Sequence, residues 1–269
     1  MLNHAVVGVD FSSGWEAVRN ALPSVAEYLA VRRVTLAYVL ETGYPAAPEL
    51  AHEEYYRDRL DEVAGPLRQQ GLQVDVRVTV GRPARALHDV ASEVGADCVV
   101  LGARGHSAWR EFFLGSAVMD AARLAKLPLV IVPIDGAMGV DGPVLLATDG
   151  SPGSDGAEAA FMQLVQQGRD GIAVHAGPKA DGSSARAEEA RHAVGRLEAL
   201  AAKGVTTHHV EADPRHAIAR MARDEGASLI VVGKRGHNPL GELLLGSTAE
   251  ALCRDSGVPV LLVPAAEAS

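Results

Sequence analysis

The sequence predicts an α/β protein made of two tandem, doubly wound parallel sheets of five strands each. Three observations carry that prediction. Short apolar runs bounded by glycine, such as Cys98-Val-Val-Leu101 and Leu229-Ile-Val-Val232, have the continuous hydrophobicity of strands buried on both faces. Segments of helical periodicity separate them, and strict alternation of the two builds a parallel sheet. Finally, the second half repeats the first. Gly95–Pro133 and Gly226–Pro264 align at a constant offset of 131 with 15 of 39 positions identical, so a whole domain is duplicated.

The first strand is Ala5-Val-Val-Gly-Val9, ending at Asp10. Ser12, Ser13 and Gly14 form a turn with Ser13 as the expected helix cap. The helix carries Trp15, Val18, Ala21, Leu22, Val25, Ala26 and Leu29 at spacings of three and four. Pro23 lies inside that pattern and predicts a kink or a late start. Val34 to Val39 is the second strand, and Glu41 to Glu53, with Gly43, Pro45 and Pro48, reads as a loop. A charged helix runs from Tyr55 to Gln70 and stops near Gly71. Val74 to Val80 alternates as a third strand, and Gly81-Arg-Pro83 opens the next helix with proline in its first turn. The fourth strand is Cys98 to Leu101, a helix follows Ser116, and Pro128 to Pro133 is the fifth strand.

Residues 135–142 form a glycine-rich linker, which places one domain at 1–134 and the second at 143–266. The series restarts at Val144-Leu-Leu-Ala-Thr-Asp149, with a helix from Ser154 or Asp155. Ile172 to Ala176, Thr207 to Ala212, Leu229 to Val232 and the final Val-Pro-Val-Leu-Leu-Val are its remaining strands. A helix spans Ala187 to Ala202, and another opens at Asp213-Pro214. Asp10 and Asp149 match at an offset of 139, so the second half is eight residues shorter before its third strand.

Composition limits the function. A 48% apolar content supports a packed core, and a net charge of −9 with 4% aromatics argues against a nucleic-acid surface. Cys98 and Cys253 lack CxxC spacing and read as reduced core residues. The N-terminus has no signal-peptide pattern and no run approaches a membrane span, so a soluble, cytoplasmic protein is expected.

The chemistry concentrates in a duplicated motif. Gly102-Ala-Arg-Gly105 is followed by nine residues and Gly115-Ser116, and Gly233-Lys-Arg-Gly236 by nine residues and Gly246-Ser247. Each copy joins a strand to a helix, where glycines let the backbone approach a ligand and N–H groups point at an anion. Arg104 and Arg235 are placed for phosphate charge. His106 and His237 suit a phosphate hydrogen bond better than catalysis, because no partner acid stands at a fixed spacing. Asp10 and Asp149 suit both ligand contact and helix capping. No GxxxxGK[ST] loop, nucleophile elbow, HExxH or zinc spacing occurs.

Gly-x2-Gly-x9-Gly-Ser after the fourth strand, an aspartate ending the first strand and the closing apolar strand resemble the universal stress protein family. The resemblance covers nearly all of both halves and points to a tandem member of its ATP-binding branch. It implies a Rossmann-like sheet of order 3-2-1-4-5, akin to adenine nucleotide alpha hydrolases, with the ligand where strand order reverses. By that resemblance Val9, Asp10 and Ser12, with Thr148, Asp149 and Ser151, flank the adenine or ribose. Val39 and its counterpart Ala176 meet the base. Gly102, Gly105, Gly233 and Gly236, with Arg104, His106, Arg235 and His237, approach ribose and phosphates. Gly115, Ser116 and Ala117, and Gly246, Ser247 and Thr248, cradle phosphates. ATP is the implied ligand, with magnesium as its companion and no dedicated metal cage or catalytic residue in the chain. The implied role is a nucleotide-responsive stress or dormancy regulator. The implied assembly is an intrachain pseudo-dimer through the fifth strands within a homodimer, read by a regulatory protein. A slow ATP hydrolase and a nucleotide-free scaffold are the alternatives. Two departures stand out: Phe11 replaces the usual glycine after the aspartate and could narrow or close the first base pocket, and Ala176 replaces valine. The copies are therefore expected to differ in affinity.

Overall fold

The computed structural model describes residues 2–41, 49–103, 115–134, 138–178, 185–236 and 244–265 of the 269-residue chain. The chain forms two compact units, Met1–Ile134 and Asp135–Ser269.

In the first unit the strands are β1 (His4–Val9), β2 (Arg33–Leu40), β3 (Gln73–Val80), β4 (Cys98–Gly102) and β5 (Leu129–Val132). Every pairing is parallel and the order is β3-β2-β1-β4-β5. The helices are α1 (Ser13–Leu29), α2 (Glu49–Gln69), α3 (Pro83–Glu93) and α4 (Ser116–Leu124). α1 packs on β4 and β5, α2 on β2 and β3, and α3 on β1, β2 and β4 and against α4. Ala5, Val6 and Val7 are consecutive and all buried, as they must be in a strand covered on both faces.

The second unit repeats this plan with β6 (Val144–Ala147), β7 (Gly171–Ala176), β8 (Thr206–Val210), β9 (Leu229–Gly233) and β10 (Val260–Val263). Its parallel order is β8-β7-β6-β9-β10. Its helices are α5 (Asp155–Gln166), α6 (Ala185–Ala201), α7 (Pro214–Asp224) and α8 (Ser247–Asp255), with a 3-10 turn over Pro152–Ser154 before α5.

In both units the chain steps outward from the central strand, then crosses to its other side. The strand order thus reverses between β1 and β4, and between β6 and β9. Successive connections there leave in opposite directions and open a crevice at the carboxyl ends of the strands.

Three local expectations are corrected. The N-cap of α1 is Ser12: it keeps an extended backbone (φ −84°, ψ 177°) and its Oγ accepts from Trp15 N–H, whereas Ser13 is already helical. α1 runs through Pro23, so no late start occurs. α2 begins at Glu49 rather than Tyr55, taking part of the expected loop, and it too contains a proline, Pro66. No helix among the described residues is long and apolar enough to cross a membrane.

Candidate functional site at the strand ends

The loops after β1 and β6 have the same internal geometry. Asp10 Oδ1 accepts the Ser12 N–H at 3.0 Å and the Ser12 hydroxyl at 2.6 Å. Asp149 Oδ1 accepts from Ser151 at the same two distances. Ser12 and Ser151 are buried, so their hydroxyls hold the aspartates in place rather than facing the crevice. Residue 11 or 150 must then adopt the left-handed conformation, with φ 56° at Phe11 and 72° at Gly150. Glycine takes it freely, whereas a side chain costs about 1–2 kcal/mol there.

In the second unit the glycine-rich turn meets this loop. A Cβ at Gly236 would overlap Asp149 Oδ2, so only glycine lets the carboxylate lie against the turn. One at Gly233 would fall 2.8 Å from the Gly153 carbonyl oxygen. The segment that leaves the turn also returns to it: Gly246 N–H donates to the Lys234 carbonyl at 2.9 Å. α8 starts at that point with Gly246 as N-cap, which offers the first-turn N–H groups no side-chain acceptor. Ser247 is exposed and Thr248 half-buried beside it. An anion set against these N–H groups would meet the positive end of the helix dipole.

The first unit is built alike where it is described. Gly102 packs on Gly14, whose carbonyl oxygen would sit 2.6 Å from an added Cβ. Gly115 N–H donates to the Ala103 carbonyl at 3.1 Å and caps α4, leaving Ser116 and Ala117 exposed in its first turn. Arg104, Gly105, His106 and His237 lie outside the described residues. Arg235 is half-buried in the turn after β9. Val9 is a buried strand residue paired with Tyr38, one position before Val39. Ala176 ends β7 and is buried.

Thr148, the counterpart of Val9, faces the scaffold. Its hydroxyl donates to Glu158 Oε1 at 2.9 Å and accepts from Gly150 N–H at 3.1 Å. Arg196 of α6 closes the network, donating to Glu158 Oε2 at 2.6 Å and to Asp155 Oδ1 at 2.5 Å. The hydrogen bond it donates to Glu158, then that carboxylate's negative charge, holds the Arg196 guanidinium above its ordinary pKa. Thr148 therefore positions the Asp149 loop from below rather than contacting a ligand with its hydroxyl.

Sequence reasoning missed what surrounds these loops, and the two units differ there. In the first, Tyr38 stacks on Tyr56 with ring centroids 3.8 Å apart. Phe11 lies 5.6 Å from Tyr38 and 6.2 Å from Tyr56, and Arg59 Cζ sits 3.8 Å from the Phe11 centroid. Burial, then the hydrogen bond with Tyr56, pushes the Tyr38 hydroxyl far above the ordinary phenol range. In the second unit His175 replaces Tyr38 and stacks on its register partner His209 at 5.2 Å. The His175 Nδ1 is 3.1 Å from the Thr148 carbonyl. Both ring nitrogens of His209 are buried without a hydrogen-bond partner among the described residues. The signal in the sequence was Asp-Phe-Ser against Asp-Gly-Ser; the partners of Phe11 come from β2 and α2 and could not be paired with it by spacing.

Two Rossmann-like units in tandem, each joining an aspartate loop, a glycine turn and a glycine-capped helix at its strand ends, define the class of protein. Comparison with known proteins then fixes the family. The universal stress protein family profile matches residues 1–133 and again 142–264, and the chain belongs to that family. A universal stress protein of Mycolicibacterium smegmatis is 30% identical over 287 aligned positions, covering 96% of each chain. One from Mycobacterium tuberculosis is 31% identical over 71% of this chain and 69% of its own. Among solved structures, a universal stress protein from Archaeoglobus fulgidus superposes with a TM-score of 0.77 at 21% identity, covering 98% of this chain and 99% of that one.

Proposed function

We propose that this chain is an ATP-binding universal stress protein whose occupancy, rather than turnover, is its output in a cytoplasmic stress or dormancy response. One observation carries the reading: at the strand ends of the second unit, Asp149, Gly236 and the N-terminus of α8 converge. Such an arrangement suits a ligand with a neutral, hydrogen-bonding end at the aspartate and an anionic end at the helix. A nucleoside phosphate has that polarity. Asp149 and Ala176, or Asp10 and Val39, would hold the nucleoside. Gly233, Arg235 and Gly236, with Gly246, Ser247 and Thr248, would hold the phosphates, and Gly102, Gly115, Ser116 and Ala117 correspond to them in the first unit. Magnesium would arrive with the triphosphate as its counterion. An oligomer or protein partner would then read the occupied state.

The test places charge where the phosphates are assigned. Ser116 and Ser247 are exposed, so Ser116→Glu/Ser247→Glu should leave the fold intact. The expected result is a loss of ATP affinity of at least about tenfold, as two anions at one helix end repel. Unchanged affinity in the folded double variant would refute the phosphate placement.

A further inference from the structure

We propose that the two strand-end sites are not equivalent: Phe11 closes the first, and the chain takes one nucleotide, in the unit that carries Asp149. The inference rests on the nucleotide reading above and concerns how the two sites divide the work.

The closure follows from where the Phe11 ring stands. Val9, the last residue of β1, pairs in register with Tyr38, two residues before β2 ends at Leu40, and Phe11 lies two residues beyond Val9. Its left-handed backbone brings the ring to within 5.6 Å of Tyr38, the residue before Val39, to which the base is assigned. Arg59 lies over the ring at 3.8 Å, and Tyr56, stacked on Tyr38, completes the group. Phe11 is thus engaged by a cation as well as by its aromatic neighbours. A base at the end of β2 would have to displace this cluster and leave Arg59 without the ring beneath it.

Among the described residues of the second unit, no ring stands over a cation in this way. Gly150 stands for Phe11 and has no side chain; an added Cβ would fall 2.8 Å from the Ala193 Cα. Arg196 of α6 is turned to Asp155 and Glu158. His175 is held toward the Thr148 carbonyl. The phosphate-facing parts are shared by both halves, while the base-facing parts have diverged.

Equilibrium dialysis against radiolabelled ATP with magnesium tests the division. The wild-type chain should bind one equivalent, and Asp149→Ala should weaken it at least tenfold. Phe11→Gly should add a second equivalent, and Phe11→Gly/Asp149→Ala should retain one. Two equivalents on the wild type, or one equivalent kept at full affinity with Asp149→Ala, would overturn the proposal while leaving nucleotide binding standing. A folded Phe11→Gly chain that stays at one equivalent would overturn the closing role of the ring. No ATP on wild-type protein would defeat the nucleotide reading itself. The wild-type stoichiometry and Asp149→Ala decide the division even if Phe11→Gly does not fold.

Discussion

Phe11 holds a conformation that residues with a side chain rarely adopt, and its neighbours offset the cost. The left-handed backbone costs about 1–2 kcal/mol, while a partly exposed cation–π contact returns about 0.5–1 kcal/mol. The aromatic pairing adds about 0.5–1.5 kcal/mol. The terms nearly cancel, so Phe11→Gly should change stability by no more than about 1 kcal/mol in urea unfolding. Gly150→Ala should do worse, because it meets both the positive φ and the Ala193 backbone; a loss of about 1–3 kcal/mol is expected. Equal effects of the two changes would contradict this account of the loops. His4 gives a pH dependence of known sign. Its ring is buried against Thr35 Oγ1 at 2.9 Å, and burial, then Arg33, lowers its pKa below 6.5. Just below that pH the unfolded chain takes up a proton that the folded chain refuses, so this contribution to stability is lost as the pH falls. Unfolding midpoints at about pH 7.5 and 5.5 should differ more for wild type than for His4→Gln; an equal difference would assign the dependence elsewhere. Cys98 and Cys253 are buried and their thiols are pushed up to about 12, so neither should react with a thiol reagent until the chain unfolds.

At the scale of elements, the network beneath the Asp149 loop ties three segments together: β6 through Thr148, α5 through Glu158 and α6 through Arg196. Glu158 is buried, and a buried carboxylate needs each of its donors. Thr148→Val, which removes one donor to Glu158 and the acceptor of Gly150 N–H, should cost about 1–3 kcal/mol. A shift in the urea midpoint much smaller than that would show the network to be slack. This tie was not legible in the sequence, because Thr148, Glu158 and Arg196 share no spacing that betrays a contact. The strands were legible: their apolar runs are continuous because both faces are covered, and each was placed to within a residue or two. Helix starts were less so. The prolines at 45 and 48 dominate the composition before α2, so the expected loop ran past the helix-forming Glu49, Leu50 and Ala51. Ser12 and Ser13 look alike as caps, and only the backbone angles separate them.

For the whole molecule, duplication made the fold readable, since two copies of one motif in register exclude an accidental turn. The same duplication makes departures between copies informative. The strand-end aspartates, the glycine turns and the glycine-capped helices are kept in both halves, which is where a phosphate-bearing ligand would be held. Phe11 and Tyr38 differ from their counterparts Gly150 and His175 in what they touch. What the sequence did not disclose was the three-dimensional company of Phe11, because it is assembled from β2 and α2 as well as the loop.

The central claim is that this member of the family binds an adenine nucleotide at its strand ends. Thermal unfolding at rising concentrations of ATP with magnesium tests it most directly, since a ligand that binds only the folded state stabilises it by RT ln(1 + [L]/Kd). The account predicts a melting temperature that climbs with ATP, reaching a stabilisation of about 2.7 kcal/mol at a hundredfold excess over Kd. A melting temperature that stays fixed while ATP is raised to millimolar levels would contradict it.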